Sequence, residues 1–406
     1  MLPHNALFSI AHAFNPEQLT LARELRGLLK HELAEKVGKS PSAIGQFENG
    51  RARPEPQTLF ALSLALGFPP GFFAREAKAP PVVPDRCQFR SQRSSSVREQ
   101  RYVLARGELL KELVALLEED VDFPEPKVPH APGPVRSIED VEACAEMARR
   151  EMGLKDGPIG SMVNELENLG VMVIPMDADC RRVDAFSTWI DKRPYVFLNS
   201  FKGSTSRARF DAAHELGHLV MHPDVVPGSP ELERQADQFA SAFLLPRSSF
   251  SKECPRRLNF DHLRELKVRW KVSLAALLYR GRELGFFSEA AVRRAYIQMN
   301  RLGIRRNEPD EPPVEVPHLL QAALNTILTE ETTEGELAAK MGLSVQELLA
   351  LVEGRDLPSS ITSTTTSVLS RLNSEVGLPT QSGPENQEEH VHEGNDFFAL
   401  RGNLKE

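Results

Sequence analysis

The chain has 406 residues, 41% hydrophobic and 26% charged, with a formal net charge of −8. That length exceeds a single ordinary core, so two or three domains of soluble globular material are expected. The acidic balance excludes indiscriminate nucleic-acid binding while leaving room for a local basic face, and no apolar run approaches the length of a membrane span.

From residue 17 to 73 the pattern predicts a bundle of short helices. Leu19, Ala22, Leu25 and Leu29 recur at helical spacing, and a second helix begins at Glu32 and must end near Gly38. Ser40-Pro41 then opens a third helix over 41–48, with Ser40 at the N-cap and Pro at the first helical position. A further helix spans 58–66. Two helices joined by a Gly turn, the second capped by Ser, make a helix-turn-helix signature. The short apolar stretch before Ala13 lacks the basic start of a secretory signal, so a cytoplasmic protein is expected.

Residues 78–84 read as a Pro/Ala linker. Arg86, Arg90, Arg93, Arg98 and Arg101 follow as a basic, serine-rich arm, and 108–118 as an amphipathic helix. Further helices are predicted over 138–152 and 159–169. Strands are predicted over 171–175, 185–190 and 195–198, the last two separated by a turn at 191–194. The four cysteines, Cys87, Cys144, Cys180 and Cys254, form no Cys-x-x-Cys pair and read as reduced thiols.

A helix starting near Ser206 carries the chain's most informative segment, Asp211-Ala-Ala-His214-Glu215-Leu-Gly-His218. Residues four apart share a helix face, so His214 and His218 can present two imidazoles to one ion. Glu215 stands beside them, placed as general base toward a water on that ion. This is the His-Glu-x-x-His arrangement of zinc peptidases. Downstream, Glu233 offers a third ligand and Asp237, one turn on, can orient a ligand imidazole; Asp211 is a weaker candidate for that role. Two imidazoles and one carboxylate leave a tetrahedral position open, as in catalytic rather than structural sites. His222 is a rival third ligand. Eight helical residues span about 12 Å, too far for His214 and His222 to share one ion, although Pro223 ends the helix there. Zinc is the default for this donor set, and manganese or iron also suits it.

A second helix-turn-helix-like pairing is predicted around 270–284. Beyond residue 307 the chain turns acidic and proline-rich. Glu336-Leu337-Ala338-Ala-Lys340-Met-Gly342-Leu-Ser344 then repeats Glu32-Leu33-Ala34-Glu-Lys36-Val-Gly38-Lys-Ser40. The equivalent of the recognition helix, 345–352, is apolar and acidic, which points to packing or dimerisation rather than DNA reading. A Ser/Thr tract covers 359–367, and disorder is expected toward the end of the chain.

These residues resemble two known families in tandem. Leu33-Ala34, Gly38, Ser40, Ile44, Glu48, Gly50 and Pro54 resemble the Xre/Cro-type DNA-binding domains of bacterial and phage repressors. The His214–His218 motif, Glu233-x-x-Ala236-Asp237-x-Phe239-Ala240 and Leu244-Leu245-Pro246 resemble the ImmA/IrrE metallo-endopeptidases. So do Gly157-Pro158-Ile159, Asp184-Ala185-Phe186-Ser187 and Arg207-x-Arg209-Phe210. The resemblance implies a gluzincin-like fold and, as substrates, repressors of the helix-turn-helix type. It assigns metal to His214, His218 and Glu233 and catalysis to Glu215.

The fold class expected is therefore α+β and mostly helical. The domains expected are a helix-turn-helix domain at 1–76, a linker with a basic run and a helix at 77–134, and a peptidase domain with a small sheet at 135–290. A helical region with the repeat follows at 291–375 and a disordered tail at 376–406. For DNA, Ser42, Ala43 and Gln46 are nominated at base edges, and Lys30, Ser40, Arg51 and Arg53 at phosphates. Lys30 stands where the Xre family often has Gln, and Gly45 weakens the recognition helix by about 1 kcal/mol relative to Ala. The function expected is a DNA-binding regulator whose zinc-dependent endopeptidase cleaves a helix-turn-helix repressor, or itself, with operator DNA and that repressor as partners, no membrane, and a homodimer as its operator-binding form. The alternative is a metal- or ligand-sensing regulator that never turns over.

Overall fold

A computed structural model of the protein describes residues 4–76, 88–89, 97–176, 185–190, 192–199, 203–223, 229–305, 307–328 and 332–355. The proposed 78–84 linker, Arg86, Arg90, Arg93, Cys87, Cys180, the Ser/Thr tract and the C-terminal tail lie outside the described residues.

The helices and strands run in chain order as α1 (His4–His12), α2 (Pro16–Leu25), α3 (Lys30–Lys36), α4 (Pro41–Glu48), α5 (Pro56–Leu66), β1 (Gln88–Phe89) and α6 (Val97–Leu117). Next come α7 (Ile138–Glu151), α8 (Met162–Asn168), β2 (Met172–Met176), β3 (Ala185–Ile190), β4 (Arg193–Asn199), α9 (Thr205–Met221), α10 (Pro230–Leu244) and α11 (Arg247–Glu253). The series closes with α12 (Phe260–Trp270), α13 (Leu274–Glu283), α14 (Glu289–Arg301), α15 (Leu319–Ile327), α16 (Glu334–Lys340) and α17 (Val345–Val352). The fold is thus mostly helical around one small sheet, as the residue pattern predicts.

The sheet has the order β1-β3-β4-β2. Strands β3 and β4 form an antiparallel hairpin with Ile190 opposite Arg193, and β2 runs parallel to β4. The turn expected over 191–194 is therefore shorter, with Arg193 and Pro194 already in the strand. Pro194 is tolerated because the register with β2 starts only at Tyr195, so no ladder donor is needed there.

Alternation of side chains sends the two faces of the sheet into different cores. Met172, Ile174, Met176, Phe186, Ile190, Tyr195 and Phe197 join one apolar cluster with α2–α6 and α15–α17. Val173, Ala185, Val196 and Leu198 join a second with α7–α10 and α12–α14. Phe186 and Phe197, paired across the hairpin, stack at 4.3 Å between ring centroids on the first face.

Two elements extend beyond or fall short of their sequence reading. Helix α6, expected over 108–118, starts at Val97 and buries Val103, Leu109, Leu110, Leu113 and Leu117 in the first cluster. Its early turns look polar because only a stripe of them is covered. Helix α8, expected from 159, starts at Met162, where Ser161 caps it by accepting the Asn164 amide.

The repeat in sequence is a repeat in structure. Gly38 and Gly342 both adopt left-handed φ (62° and 64°), and Ser40 and Ser344 both cap the following helix. Helix α17, however, faces inward. Arg106 of α6 donates to Ala350 O and Arg355 O, both at 2.9 Å, closing the C-terminal end of α17. Glu347 is buried and accepts from Arg26 of the first copy at 2.5 Å. Packing, one of the two roles expected for this helix, is what it does.

Candidate metal centre and helix-turn-helix face

Helix α9 is buried along nearly its whole length, because it lies between the sheet and α10. It carries His214, Glu215 and His218, and α10 brings Glu233 and Asp237 alongside. The close approach of the two helices depends on Gly217: a Cβ there would meet the Phe239 side chain at 3.0–3.1 Å.

His214 Nε2 and His218 Nε2 are 3.1 Å apart, and each lies 3.5 Å from a different oxygen of Glu233. An ion held tetrahedrally at about 2.0–2.1 Å from its ligands would set those atoms about 3.3 Å apart. The three donors therefore fit a tetrahedral ion as they stand, and they form the metal-type cluster found among the described residues.

Hydrogen bonds outside the cluster fix which nitrogens face it. His214 Nδ1 meets Asp237 Oδ1 at 2.9 Å, so its proton sits there and Nε2 is bare. Asp237, rather than Asp211, meets the imidazole. For His218 the control is longer. Gln235 Nε2 donates to Val135 O and Glu231 Oε1, which turns Gln235 Oε1 toward His222 Nε2 at 2.8 Å. His222 must donate from Nε2, so its Nδ1 accepts from His218 Nδ1 at 3.2 Å. His218 Nε2 is thereby left bare as well. Two bare nitrogens facing each other at 3.1 Å repel unless a cation lies between them. His222, the rival third ligand, thus touches the far side of His218 and lies off the cluster.

Electrostatics favour the same states. Burial pushes the His218 imidazole down to about 4, with the nearby His214 and His222 adding to that against Glu233. Burial works against the Glu233 carboxylate, but hydrogen bonds and charge from His214 and His218 hold it down to about 2. A neutral imidazole and an ionised carboxylate are the forms that ligate metal.

Glu215 is fully buried beside His214, and Ser187 Oγ of β3 donates to its Oε2 at 2.7 Å. Sequence spacing gave no reason to single out Ser187 or Gln235 for this site. Strand alternation turns Ser187 toward α9, but its partner is set by tertiary packing. Glu233 and Asp237 are 26% and 40% exposed in their side chains, so the cluster opens to solvent on the α10 side.

On the N-terminal bundle, α4 buries Ile44 and Phe47 and presents Ser42 and Gln46 to solvent, with Ala43 half-buried. Ser40 Oγ is engaged as the cap, accepting the Ala43 amide at 3.2 Å. Arg51 is exposed. Two nominated cations are already paired: Lys30 Nζ lies 3.0 Å from Glu48, and Arg53 Nη1 donates to His12 O at 2.8 Å. Glu48 itself is buried against Arg23 at 2.5 Å, which pins α4 to α2.

The fold and the donor cluster define a class: a helix-turn-helix module joined in one chain to a metallopeptidase-type domain. Comparison with family models agrees. Residues 19–73 match the helix-turn-helix family, and residues 166–281 match the peptidase M78 family, IrrE N-terminal-like domain. The chain therefore carries an Xre-type helix-turn-helix domain and an IrrE/ImmA-like domain, and is a regulator with a peptidase-family domain. No curated protein matches it. Among the described residues, no helix is long and apolar enough to cross a membrane.

Proposed function

We propose that the protein binds an operator through α4 and hydrolyses a peptide bond, in a helix-turn-helix repressor or in itself, at the α9–α10 centre. The observation carrying this reading is the convergence of His214 Nε2, His218 Nε2 and Glu233 beside the buried carboxylate of Glu215. His214, His218 and Glu233 would hold zinc, which when bound supplies Lewis acidity and an acidified water at neutral pH. Glu215 takes the proton from the attacking water and delivers it to the leaving amine. Ser187 holds the Glu215 carboxylate in the orientation from which it can do both. On DNA, Gln46 would pair with adenine, flanked by Ser42 and Ala43, and the exposed Arg51 and the Ser40 position would meet phosphates; Lys30 and Arg53 would do so by exchanging Glu48 and the His12 carbonyl for phosphate oxygens.

The test is incubation of the zinc-loaded protein, alone and with helix-turn-helix repressors encoded beside its gene, followed by intact mass. Fragments are expected with wild type and not with Glu215→Gln, which should retain metal and DNA binding. Cleavage surviving in Glu215→Gln would overturn the role of that residue. Absence of any cleavage by metal-bound wild type would overturn the peptidase reading.

A further inference from the structure

A cavity of about 340 Å³ lies between the start of α7 and the first two turns of α10, with Arg136, Ile138, Glu231, Arg234, Gln235 and Gln238 in its walls. That volume falls at the lower end of small-molecule sites. Its walls hold more donors than acceptors. The Arg136 guanidinium and the Gln238 amide meet no partner among the described residues. Only the Arg136 main chain is engaged, donating to Asp140 at 3.0 Å. Arg234 spends one nitrogen, Nη2, on both oxygens of Glu231 at 2.7 Å, which leaves Nε and Nη1 for another acceptor. Glu231 is the one carboxylate in the wall, and it already accepts from Arg234 and Gln235. Asp140, nearby, is taken up by the amides of Arg136 and Ser137.

Two guanidinium groups against one occupied carboxylate leave a surplus positive charge facing the cavity. A planar guanidinium is matched by a carboxylate or a phosphate, which offers two acceptor oxygens. Ile138, 41% exposed, supplies an apolar wall for the rest of such a molecule. We infer that this cavity binds a small organic anion, a carboxylate or a phosphate ester, between Arg136 and Arg234, and that its occupancy is coupled to the metal centre through Gln235. The coupling rests on the reading of His214, His218 and Glu233 as metal ligands. Gln235 is buried and belongs to both places: its Nε2 donates to Glu231 at 3.2 Å, and its Oε1 meets His222 at 2.8 Å. An anion that draws Arg234 toward itself leaves Glu231 to Gln235 alone. The Gln235 amide is then held more firmly, and with it His222 and the ring of His218. Coupling of this kind is reciprocal, so the anion tightens the metal and the metal tightens the anion by one factor.

The test uses the full chain with three ring compounds of similar size: benzoate, phenyl phosphate and, as the cation, benzylamine. Ligand-observed NMR titration is run first on the metal-free chain, so that zinc itself cannot hold an anion. At least one of the two anions should bind, and benzylamine should bind about tenfold more weakly or not at all. The tighter of the two anions tells a carboxylate site from a phosphate site. Arg136→Ala, an exposed position, should weaken the anion about tenfold, the size of a lost charge-assisted hydrogen bond, and Arg136→Lys should recover part. No binding of either anion, equal binding of benzylamine, or an unaffected Arg136→Ala would overturn the site. Chelator competition then measures zinc affinity with the anion at saturation, where a rise of about fivefold or more is expected in wild type and none in Arg136→Ala. An unchanged zinc affinity would overturn the coupling. Neither reading uses cleavage: anion binding by a wild type that cuts nothing would sink the proposed function and leave this site standing.

Discussion

At the scale of single residues, the centre is controlled as much by what holds the ligands as by the ligands. His218 offers Nε2 to the cluster only because His222, itself set by Gln235, accepts the hydrogen bond from its Nδ1–H. Loss of such a supporting hydrogen bond typically lowers metal affinity roughly 10–100-fold. His222→Phe, which keeps a ring but has no acceptor, should therefore weaken zinc binding by about that factor. His222→Gln, which can still present an acceptor, should recover part of it. Competition against a chromophoric chelator measures the affinity, and the visible spectrum of the cobalt form reports the ligand geometry. A His222→Phe protein that binds zinc as tightly as wild type, with an unchanged cobalt spectrum, would show that the relay is idle. The four-residue steps in sequence made His214 and His218 legible, and offered His222 as a rival ligand that the span of about 12 Å already disfavoured. What spacing omits is the direction in which each ring turns. That direction follows from Gln235 on a different helix and from the end of α9 at Met221.

At the scale of elements, the site depends on how closely α10 can approach α9. Ligands on separate helices meet only if the helix backbones come together, and Gly217 is where they do. Phe239 is fully buried and stacks on Phe243, with ring centroids 5.5 Å apart, so it has little room to yield to a new methyl group. Gly217→Ala should cost about 1–3 kcal/mol through overpacking, despite the better helix propensity of alanine. It should also lower metal affinity, because Glu233 moves with α10. Thermal melts with and without zinc separate the two effects: a smaller stabilisation by zinc marks displacement of Glu233. A variant as stable as wild type would mean that the helices can part without loss. The sequence displayed this glycine only as a letter within the motif, since its reason lies on the facing helix. The second helix-turn-helix copy was legible as a repeat, down to Gly342 and Ser344. Its docking was not, because the carbonyls at the end of α17 that Arg106 satisfies carry no mark in the sequence.

At the scale of the whole molecule, the acidic, proline-rich stretch after α14 is what ties the peptidase helices to one another. Glu308 accepts the Leu274 amide at the start of α13, Glu311 the Ser206 amide at the start of α9, and Glu315 the Met162 and Val163 amides at the start of α8. Read as composition, these carboxylates resemble a solvated run. In place, each meets the positive end of a helix that has unpaired amides to satisfy. The one on α9 bears directly on the candidate centre. Burial raises the Glu311 pKa, but Lys267 and the Ser206 amide outweigh it and hold the group below its ordinary value of 4.5. A carboxyl depressed in the folded state contributes stability that is present in full above its unfolded value and is lost as pH falls through the folded one. Glu311→Gln should thus be less stable than wild type at pH 7 by about 1–3 kcal/mol, the usual cost of leaving buried donors poorly satisfied. The gap should close as pH drops below the ordinary carboxylate range. Glu167, whose burial raises its pKa, runs in the opposite sense but is common to both proteins and cancels in the difference. Denaturant melts of the two proteins from pH 7 to pH 3 measure that difference directly. A gap that stays constant across the range would show that the charge on Glu311 is not what fastens the start of α9.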